Sequence, residues 1–254
     1  MTKEWRAQTD LLEKSDLEAT YECLRAWNER ETVNDINNEN AQPSSQKALF
    51  AFFNSGDESG ASQPHRHLQF LPIEAMRQNE SDKWCPLIEV LAAQSHAHSH
   101  SRFLTLPSLP FAHFALPIPP HPTPEILHEI YLALYRAAIA ATEEVGPRSP
   151  ATSALLSESA RSEGPAEISY NLAMTLSTMM ICPRRQETAR VPVRSPAADI
   201  ADYGVVSLNG TILAGTLMVK AEAEWDVLRE NPDILTRMLA EIGYAPEEVK
   251  GAVL

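Results

Sequence analysis

Two imidazoles and a carboxamide alternate in SGASQPHRHLQFLP, residues 59–72. In an extended chain residues two apart share a face, so His65, His67 and Gln69 would point to one side of the chain. These groups make a poor core, because each buried ring or amide demands hydrogen-bond partners. The alternation therefore predicts that the three side chains line a cleft.

The same groups are suited to the transfer of a phosphoryl or nucleotidyl group. Neutral imidazole is a nucleophile at physiological pH when an acceptor holds the proton on its other ring nitrogen. A carboxamide two residues away can donate to a phosphate oxygen, and the Gly/Ser loop before the motif offers main-chain donors. The alternative, from the residues alone, is that both histidines are structural.

Composition limits the partners and the location. The 254 residues suffice for one large domain or two small ones, and 34 acidic against 21 basic side chains give a formal charge of -13. Such a charge argues against binding to nucleic acid or to anionic membranes. Neither a membrane span nor a targeting segment is visible, so we expect the cytoplasm or the nucleus. Cys23, Cys85 and Cys182 form no CxxC pair, which fits a reduced compartment, and we expect all three to be buried thiols.

Periodicity predicts the elements that carry the motif. Ser15 and Glu18 fit a capping box before the helical stripe of SDLEATYECLRAW. The polar residues after it, about 28–46, are predicted to form an exposed loop. KALFAFFNSG predicts a buried strand, and HRHLQFLPI predicts the strand that returns from the Gly/Ser loop.

The second half of the chain carries further start and stop signals. Proline density predicts an irregular connection at residues 105–123 and a division into 1–115 and 116–254. A helix should begin at Thr123 and Pro124, and the last helix should run from Pro232 to Gly243. ISYNLAMTLSTMMICPRRQ is a long apolar run, and VVSLNGTILAGTLMVK predicts a further strand. These elements predict an α+β domain with a mostly antiparallel sheet covered by helices.

A second histidine cluster is less informative. His96, His98 and His100 alternate in LAAQSHAHSHSRF and could bind a metal if that segment were extended. The flanking Ser and Ala favour a solvated loop instead, and we predict no protein-bound metal.

SGASQPHRHLQFLP resembles the histidine-triad (HIT-like) superfamily, in the branch with Gln in place of a third His. Galactose-1-phosphate uridylyltransferase and the fungal diadenosine tetraphosphate phosphorylases share that branch. FFNSGDESGASQPHRHLQFLP, LPFAHFALPI, SYNLAMTLSTMMICPRR and LNGTILAGTLMVK are similar, in that order, to the phosphorylases, also called ATP adenylyltransferases. The ordered matches cover about residues 2–220, whereas the HxHxQ triplet alone would be weak evidence.

The resemblance implies a reaction and a site. Diadenosine tetraphosphate would react with phosphate to give ADP and ATP through an AMP joined to His67, with Gln69 stabilising the phosphoryl oxygens and His65 supporting the site by hydrogen bonding. Glu58 and His113 are expected to be structural. No tightly bound cofactor is implied, Mg²⁺ would accompany the nucleotide, and the protein would be a monomer or homodimer. The substrate-binding residues would be Asn54, Gly60, Ala61, Ser62, Gln63, Asn171, Thr175, Arg184 and Lys3.

The chain departs from the family at its start. Family members have a longer segment before the stretch that matches residues 2–24, including an apolar strand and a Lys, so we expect the first strand or strands of the sheet to be missing. That would open one wall of the base pocket. Two alternatives to an active enzyme follow: a relative that only binds adenine nucleotides, and a non-enzymatic interaction protein. Asn171 could instead anchor a turn, and Arg184 could be a solvated charge.

Overall fold

The computed structural model describes residues 1–36, 48–76, 84–94, 102–142, 161–193 and 204–246. Its helices are α1 (Lys14–Ile36), α2 (Ile73–Met76), α3 (Leu87–Gln94), α4 (Pro124–Thr142), α5 (Glu222–Glu230) and α6 (Asp233–Ile242). Its strands are β1 (Leu49–Ser55), β2 (Gln69–Pro72), β3 (Phe114–Pro117), β4 (Tyr170–Met174), β5 (Thr178–Pro183), β6 (Thr188–Arg190) and β7 (Val205–Ser207). Two 3₁₀ turns span Asp57–Ser59 and Gly210–Ala214.

Five strands form one antiparallel sheet in the order β2-β1-β4-β5-β3, and β6 pairs with β7 in a separate two-stranded sheet. Gln69 lies opposite Phe52, and Asn54 lies opposite Asn171. Because opposed residues share a face, Gln69, Asn54 and Asn171 lie on the same side of the sheet. The predicted α+β class with a mostly antiparallel sheet is confirmed. Strand β3 crosses residue 115, and the division of the chain there stays a prediction.

Alternation along the strands gives the sheet two apolar faces, each covered by a different layer. Ala51 and Phe53 of β1 face α1 and α4, which pack through residues such as Leu24 and Tyr131. Phe50 and Phe52 face the opposite way, toward α3, the second 3₁₀ turn and α6. The candidate site lies on this second face, where the pairing of β1 with β2 begins.

Several predicted elements are confirmed. Strand β1 and helices α1, α4 and α6 lie where periodicity and breakers indicated. The Thr123 hydroxyl oxygen accepts a hydrogen bond from the Ile126 N–H at 3.3 Å and so caps α4. The start of α1 differs, because the helix begins at Lys14 and the Asp16 carboxylate accepts from the Glu13 N–H at 2.9 Å.

Other predictions are wrong in part. Helix α1 continues to Ile36, through residues expected to be a loop. The proline-rich connection contains β3, which tolerates Pro117 because it is an edge strand. The long apolar run is a hairpin of β4 and β5, and the last predicted strand ends at Ser207, before a 3₁₀ turn in which Asn209 caps the Thr211 N–H.

The cysteines and the His-rich segment give different outcomes. Cys182 is buried, but Cys23 is exposed on α1 and Cys85 is partly exposed, so the prediction of three buried thiols is wrong. The alternating histidines at 96, 98 and 100 lie outside the described residues. No helix in the described ranges is long and apolar enough to cross a membrane.

Candidate active site

The segment that carries both histidines lies beside the N-terminal segment rather than in a strand. Strand β2 begins only at Gln69, so the predicted strand over residues 65–73 is shorter than expected. The Gln8 N–H donates to the Pro64 carbonyl at 2.8 Å, and the Arg66 N–H donates to the Arg6 carbonyl at 2.8 Å. Residues 64–66 are therefore held by a part of the chain about sixty residues away in sequence.

The ring of His67 is buried, with 7 % of the residue exposed, and its tautomer is determined by its neighbour. Its Nδ1 lies 3.0 Å from the His65 carbonyl oxygen, which can only accept, so Nδ1 carries the proton and Nε2 carries the lone pair. The Nε2 atom lies 3.4 Å from the Ser62 hydroxyl oxygen and 3.4 Å from the Gln69 amide nitrogen. This is the arrangement that a nucleophilic imidazole requires.

The side chain of His65 does not join this group. Its Nε2 lies 3.0 Å from the Thr2 hydroxyl oxygen and 3.1 Å from the Glu4 carbonyl oxygen. Its ring stacks on the exposed Trp5, with centroids 4.9 Å apart. The prediction that three side chains line one face is therefore wrong for His65. The side chains of His67 and Gln69 lie next to each other, whereas His65 provides only the carbonyl oxygen that accepts from the His67 Nδ1. Strand alternation fails here because residues 65–68 are not in a regular strand.

The Gly/Ser loop lies next to the nucleophile. Gly60 has φ of 74°, and a Cβ atom there would lie 2.7 Å from the Leu208 carbonyl oxygen, so both conformation and space require glycine. Ala61 is partly buried, whereas Ser62 and Gln63 are exposed. The structure thus brings the predicted loop residues and His67 together through the Ser62 contact.

A buried network holds that loop to the sheet. The Asn54 Oδ1 accepts from the Asn171 amide at 2.9 Å and from the Gly210 N–H at 2.8 Å. The Asn171 amide also donates to the Ser59 carbonyl oxygen at 2.8 Å. Asn171 therefore anchors the turn, which was one of its two predicted roles.

Arg184, the residue after β5, completes the network. It is 2 % exposed, donates to the Asn171 Oδ1, and reaches the Gln186 carbonyl oxygen at 2.9 Å and the Ile242 carbonyl oxygen at 3.3 Å. Burial lowers the pKa of the Arg184 guanidinium from its ordinary value. The alternative reading of Arg184 as a solvated charge is wrong.

Comparison with known proteins identifies the family. The ATP adenylyltransferase C-terminal domain matches residues 107–245, more than half of the chain, and the Ap4A phosphorylase N-terminal domain matches residues 32–93. The chain belongs to the ATP adenylyltransferase family. The family predicted from the motifs is confirmed.

Two relatives from Saccharomyces cerevisiae are similar to this family member over most of its length. Protein APA1 is 24 % identical over 251 residues, and diadenosine 5',5'''-P1,P4-tetraphosphate phosphorylase 2 is 23 % identical over 254 residues. Each match covers 96 % of this chain and 64 % of the relative. The chain thus spans less than two thirds of the length of these curated relatives.

Solved structures show that this ATP adenylyltransferase family member has the predicted HIT-like fold. Yeast Ap4A phosphorylase Apa2 matches with a TM-score of 0.68 at 23 % identity, covering 96 % of this chain and 68 % of that chain. The same protein in complex with Ap4A matches with a TM-score of 0.68 at 21 % identity and the same coverage.

The remaining two predicted substrate residues are Thr175 and Lys3. Thr175 is four residues beyond Asn171, about 13 Å along an extended chain, and its hydroxyl oxygen is buried with no partner among the described residues. Lys3 is exposed on the N-terminal segment, next to Thr2. The substrate roles of both residues stay predictions for this member of the family.

Sequence reasoning missed two residues that hold the motif in place. Arg66 is 1 % exposed and donates to the Asp16 carboxylate at 2.6 Å and to the Leu11 carbonyl oxygen at 3.0 Å. Gln8 hydrogen-bonds the backbone of His67. Nothing in their local sequence signals these contacts. Within the described residues, no group of three or more His, Cys, Asp or Glu side chains could hold a metal ion.

Proposed function

We propose that this protein is a nucleotidyltransferase that cleaves diadenosine tetraphosphate with phosphate, giving ADP and ATP. The observation that carries the proposal is the tautomer of His67, whose Nδ1 proton points at the His65 carbonyl oxygen 3.0 Å away. The Nε2 lone pair is therefore available to attack phosphorus. The relatives support the choice of substrate, since one is named a diadenosine tetraphosphate phosphorylase and Apa2 was solved with Ap4A and with AMP.

The proposed reaction has two displacements at one phosphorus atom. In the first, the His67 Nε2 lone pair attacks the α-phosphorus, the bond to the bridging oxygen breaks, and ATP leaves with that electron pair. AMP is then joined to His67 through a P–N bond. In the second, an oxygen of inorganic phosphate attacks the same phosphorus, the P–N bond breaks, and ADP is released. Nδ1 keeps its proton throughout.

Donors around the nucleophile would stabilise the charge on the phosphoryl oxygens. The Gln69 amide nitrogen, now 3.4 Å from Nε2, would donate to a non-bridging oxygen, and the Ser62 hydroxyl would donate to another. Backbone N–H groups of Gly60 to Gln63 would contact further phosphates. Mg²⁺ would be bound by the nucleotide phosphates rather than by the protein, and Asn54, Asn171 and Arg184 would act by holding the loop.

The test is incubation of the protein with diadenosine tetraphosphate, phosphate and Mg²⁺. Equal amounts of ADP and ATP should appear, and mass spectrometry should find AMP on His67 when phosphate is omitted. His67→Ala should abolish turnover and labelling, and Gln69→Ala should lower kcat by about 10²–10³-fold. His121→Ala, in an exposed loop, should leave kcat unchanged.

Two outcomes would contradict the proposal. If neither product nor labelled protein forms while adenine nucleotides still raise the Tm, the protein binds nucleotides without turnover. If nucleotides change neither activity nor Tm, a non-enzymatic interaction role is favoured. We further propose that the protein is fungal and cytoplasmic or nuclear, on the strength of its yeast relatives.

A further inference from the structure

We infer that Gln8 is a positioning residue for the nucleophile: its carboxamide sets the distance between His67 and the Gly/Ser loop. The inference rests on the proposed function of His67. No part of the motif contains Gln8, which lies 59 residues before His67 in the chain. It is nevertheless 2 % exposed and lies directly behind the backbone of the nucleophile.

One carboxamide satisfies three backbone groups. The Gln8 Oε1 accepts from the His67 N–H at 2.8 Å, and its Nε2 donates to the His67 carbonyl oxygen at 3.3 Å. The same Nε2 donates to the Asn54 carbonyl oxygen at 2.6 Å. Gln8 thereby joins the nucleophile to the end of β1.

That joint matters because the loop begins where β1 ends. Asn54 is followed by the 3₁₀ turn Asp57–Ser59 and then by Gly60 and Ser62, the donors expected for the phosphates. The Asn54 side chain is itself fixed by Asn171 and Gly210. The Gln8 carboxamide therefore links a rigid strand end, on which the loop depends, to the residue that attacks.

The orientation of the His67 ring depends on the same backbone. Its Nδ1 bond goes to the carbonyl oxygen of His65, two residues earlier, so ring and acceptor keep their geometry only while residues 65–67 stay in place. The ladder bonds from the backbone of residues 2–8 hold Pro64 and Arg66. In addition, the Gln8 carboxamide bonds the backbone of His67 directly and links it to the Asn54 carbonyl oxygen of β1.

Gln8→Glu tests this through pH. At pH 8 the ionised carboxylate would face the Asn54 and His67 carbonyl oxygens, and kcat should fall by about 10–100-fold with KM within about twofold of the wild type. When protonated, one oxygen can accept from the His67 N–H while the O–H donates to Asn54. Activity relative to wild type should therefore recover as the pH falls toward 5.5. Gln8→Met should lose kcat equally and show no recovery.

The titration of nearby ionisable groups does not affect the comparison of Gln8→Glu with the wild type. Gln8 lies close to Arg6 and Asp10 on its own segment, and to His65, Arg66 and His67 on the segment opposite. The wild type contains the same groups, so each variant is compared with the wild-type profile measured at the same pH. Asn231→Asp is the matched control, because Asn231 is exposed at the end of α5 and outside the site, and it should behave as wild type at every pH.

A second readout needs no turnover. Nitrogen NMR of the His67 ring, assigned with His67→Ala, should show the proton on Nδ1 in the wild type and a mixture of tautomers in Gln8→Met. If the wild type forms no product, the proposed function fails, and the NMR result alone decides this inference. Wild-type kcat and tautomer in both Gln8 variants would overturn it. Loss of folding in Gln8→Met leaves Gln8→Glu at low pH as the deciding variant.

Discussion

Asn54 joins the loop, the sheet and the second 3₁₀ turn through its side chain and its backbone carbonyl oxygen. Its side chain oxygen accepts from Gly210 N–H and from Asn171, and its carbonyl oxygen accepts from Gln8. Because Asn54 is 1 % exposed, water cannot replace these bonds without local opening. Its importance is therefore to the geometry of the loop before any contact with substrate.

Asn54→Ala should destabilise the protein measurably. The substitution leaves the buried Gly210 N–H without its acceptor and deprives Asn171 of one of two, which should lower the free energy of unfolding by about 2 kcal/mol. Urea denaturation followed by circular dichroism measures this. Asn231→Ala is the control, because Asn231 is exposed and ends α5 through its backbone N–H. Equal midpoints for the two variants would show that the network contributes nothing.

At the scale of elements, a buried histidine holds together the segment that precedes β3, residues 106–113. The His113 Nδ1 donates to the Phe111 carbonyl oxygen at 2.8 Å, and its Nε2 accepts from the Leu106 N–H at 2.8 Å. Both ring nitrogens are used in the neutral form. Burial lowers the pKa of His113, despite the opposing effect of the Phe111 carbonyl. His113 thus has the structural role expected for it.

The stability of the protein should fall as the pH falls below about 6.5, the ordinary pKa of histidine. In that range the unfolded chain binds a proton at this position and the native ring does not, so protonation favours unfolding. Above that pH the contribution of His113 is fully present. Thermal unfolding between pH 8 and pH 5 checks this. His128, whose pKa is lowered by partial burial and by Lys14, acts in the same direction.

Variants separate His113 from the other histidines. His113→Gln should lower Tm at pH 8 and make the loss of Tm toward pH 5 shallower than in the wild type. His121→Asn should keep the wild-type slope, because His121 is exposed and Asn tolerates its φ of 53°. An unchanged slope in His113→Gln would mean that another group causes the pH dependence.

Elements with local signals could be predicted, and those set by distant contacts could not. Helix α4 begins at Pro124, directly after Thr123, and α6 begins directly after Pro232, so adjacent residues signal each start. The sequence did not reveal the hairpin of β4 and β5, because both strands are mostly apolar on both faces and the turn between them lacks glycine and proline.

The candidate site shows the same division. His67 and Gln69 could be identified from their types and spacing, and they do meet. The direction of the His65 ring could not, because pairing with residues 2–8 decides the backbone there. Gln8 could not be identified either, since a lone glutamine carries no pattern and its role exists only once the chain has folded.

At the scale of the whole molecule, the covered sheet makes one cysteine a reporter of global unfolding. Cys182 lies on β5, next to the edge strand β3, and is buried within the layer of α3, α6 and the second 3₁₀ turn. Burial raises the pKa of its thiol to about 12, with Arg184 opposing the effect. The thiolate that would react is therefore scarce in the native state. Cys23, exposed on α1, is the internal comparison.

An alkylating agent at pH 8 should modify Cys23 within minutes and leave Cys182 unmodified until the protein unfolds. Peptide mass spectrometry measures each rate separately, and the Cys182 rate should rise with urea as steeply as the unfolding equilibrium, because its exposure requires the loss of the covering layer. Cys23→Ser should leave the Cys182 rate unchanged. Rapid modification of Cys182 without denaturant, or a rate that does not change with urea, would mean that the layer of α3, α6 and the second 3₁₀ turn opens locally. The face of the sheet that carries the site would then not be a rigid support.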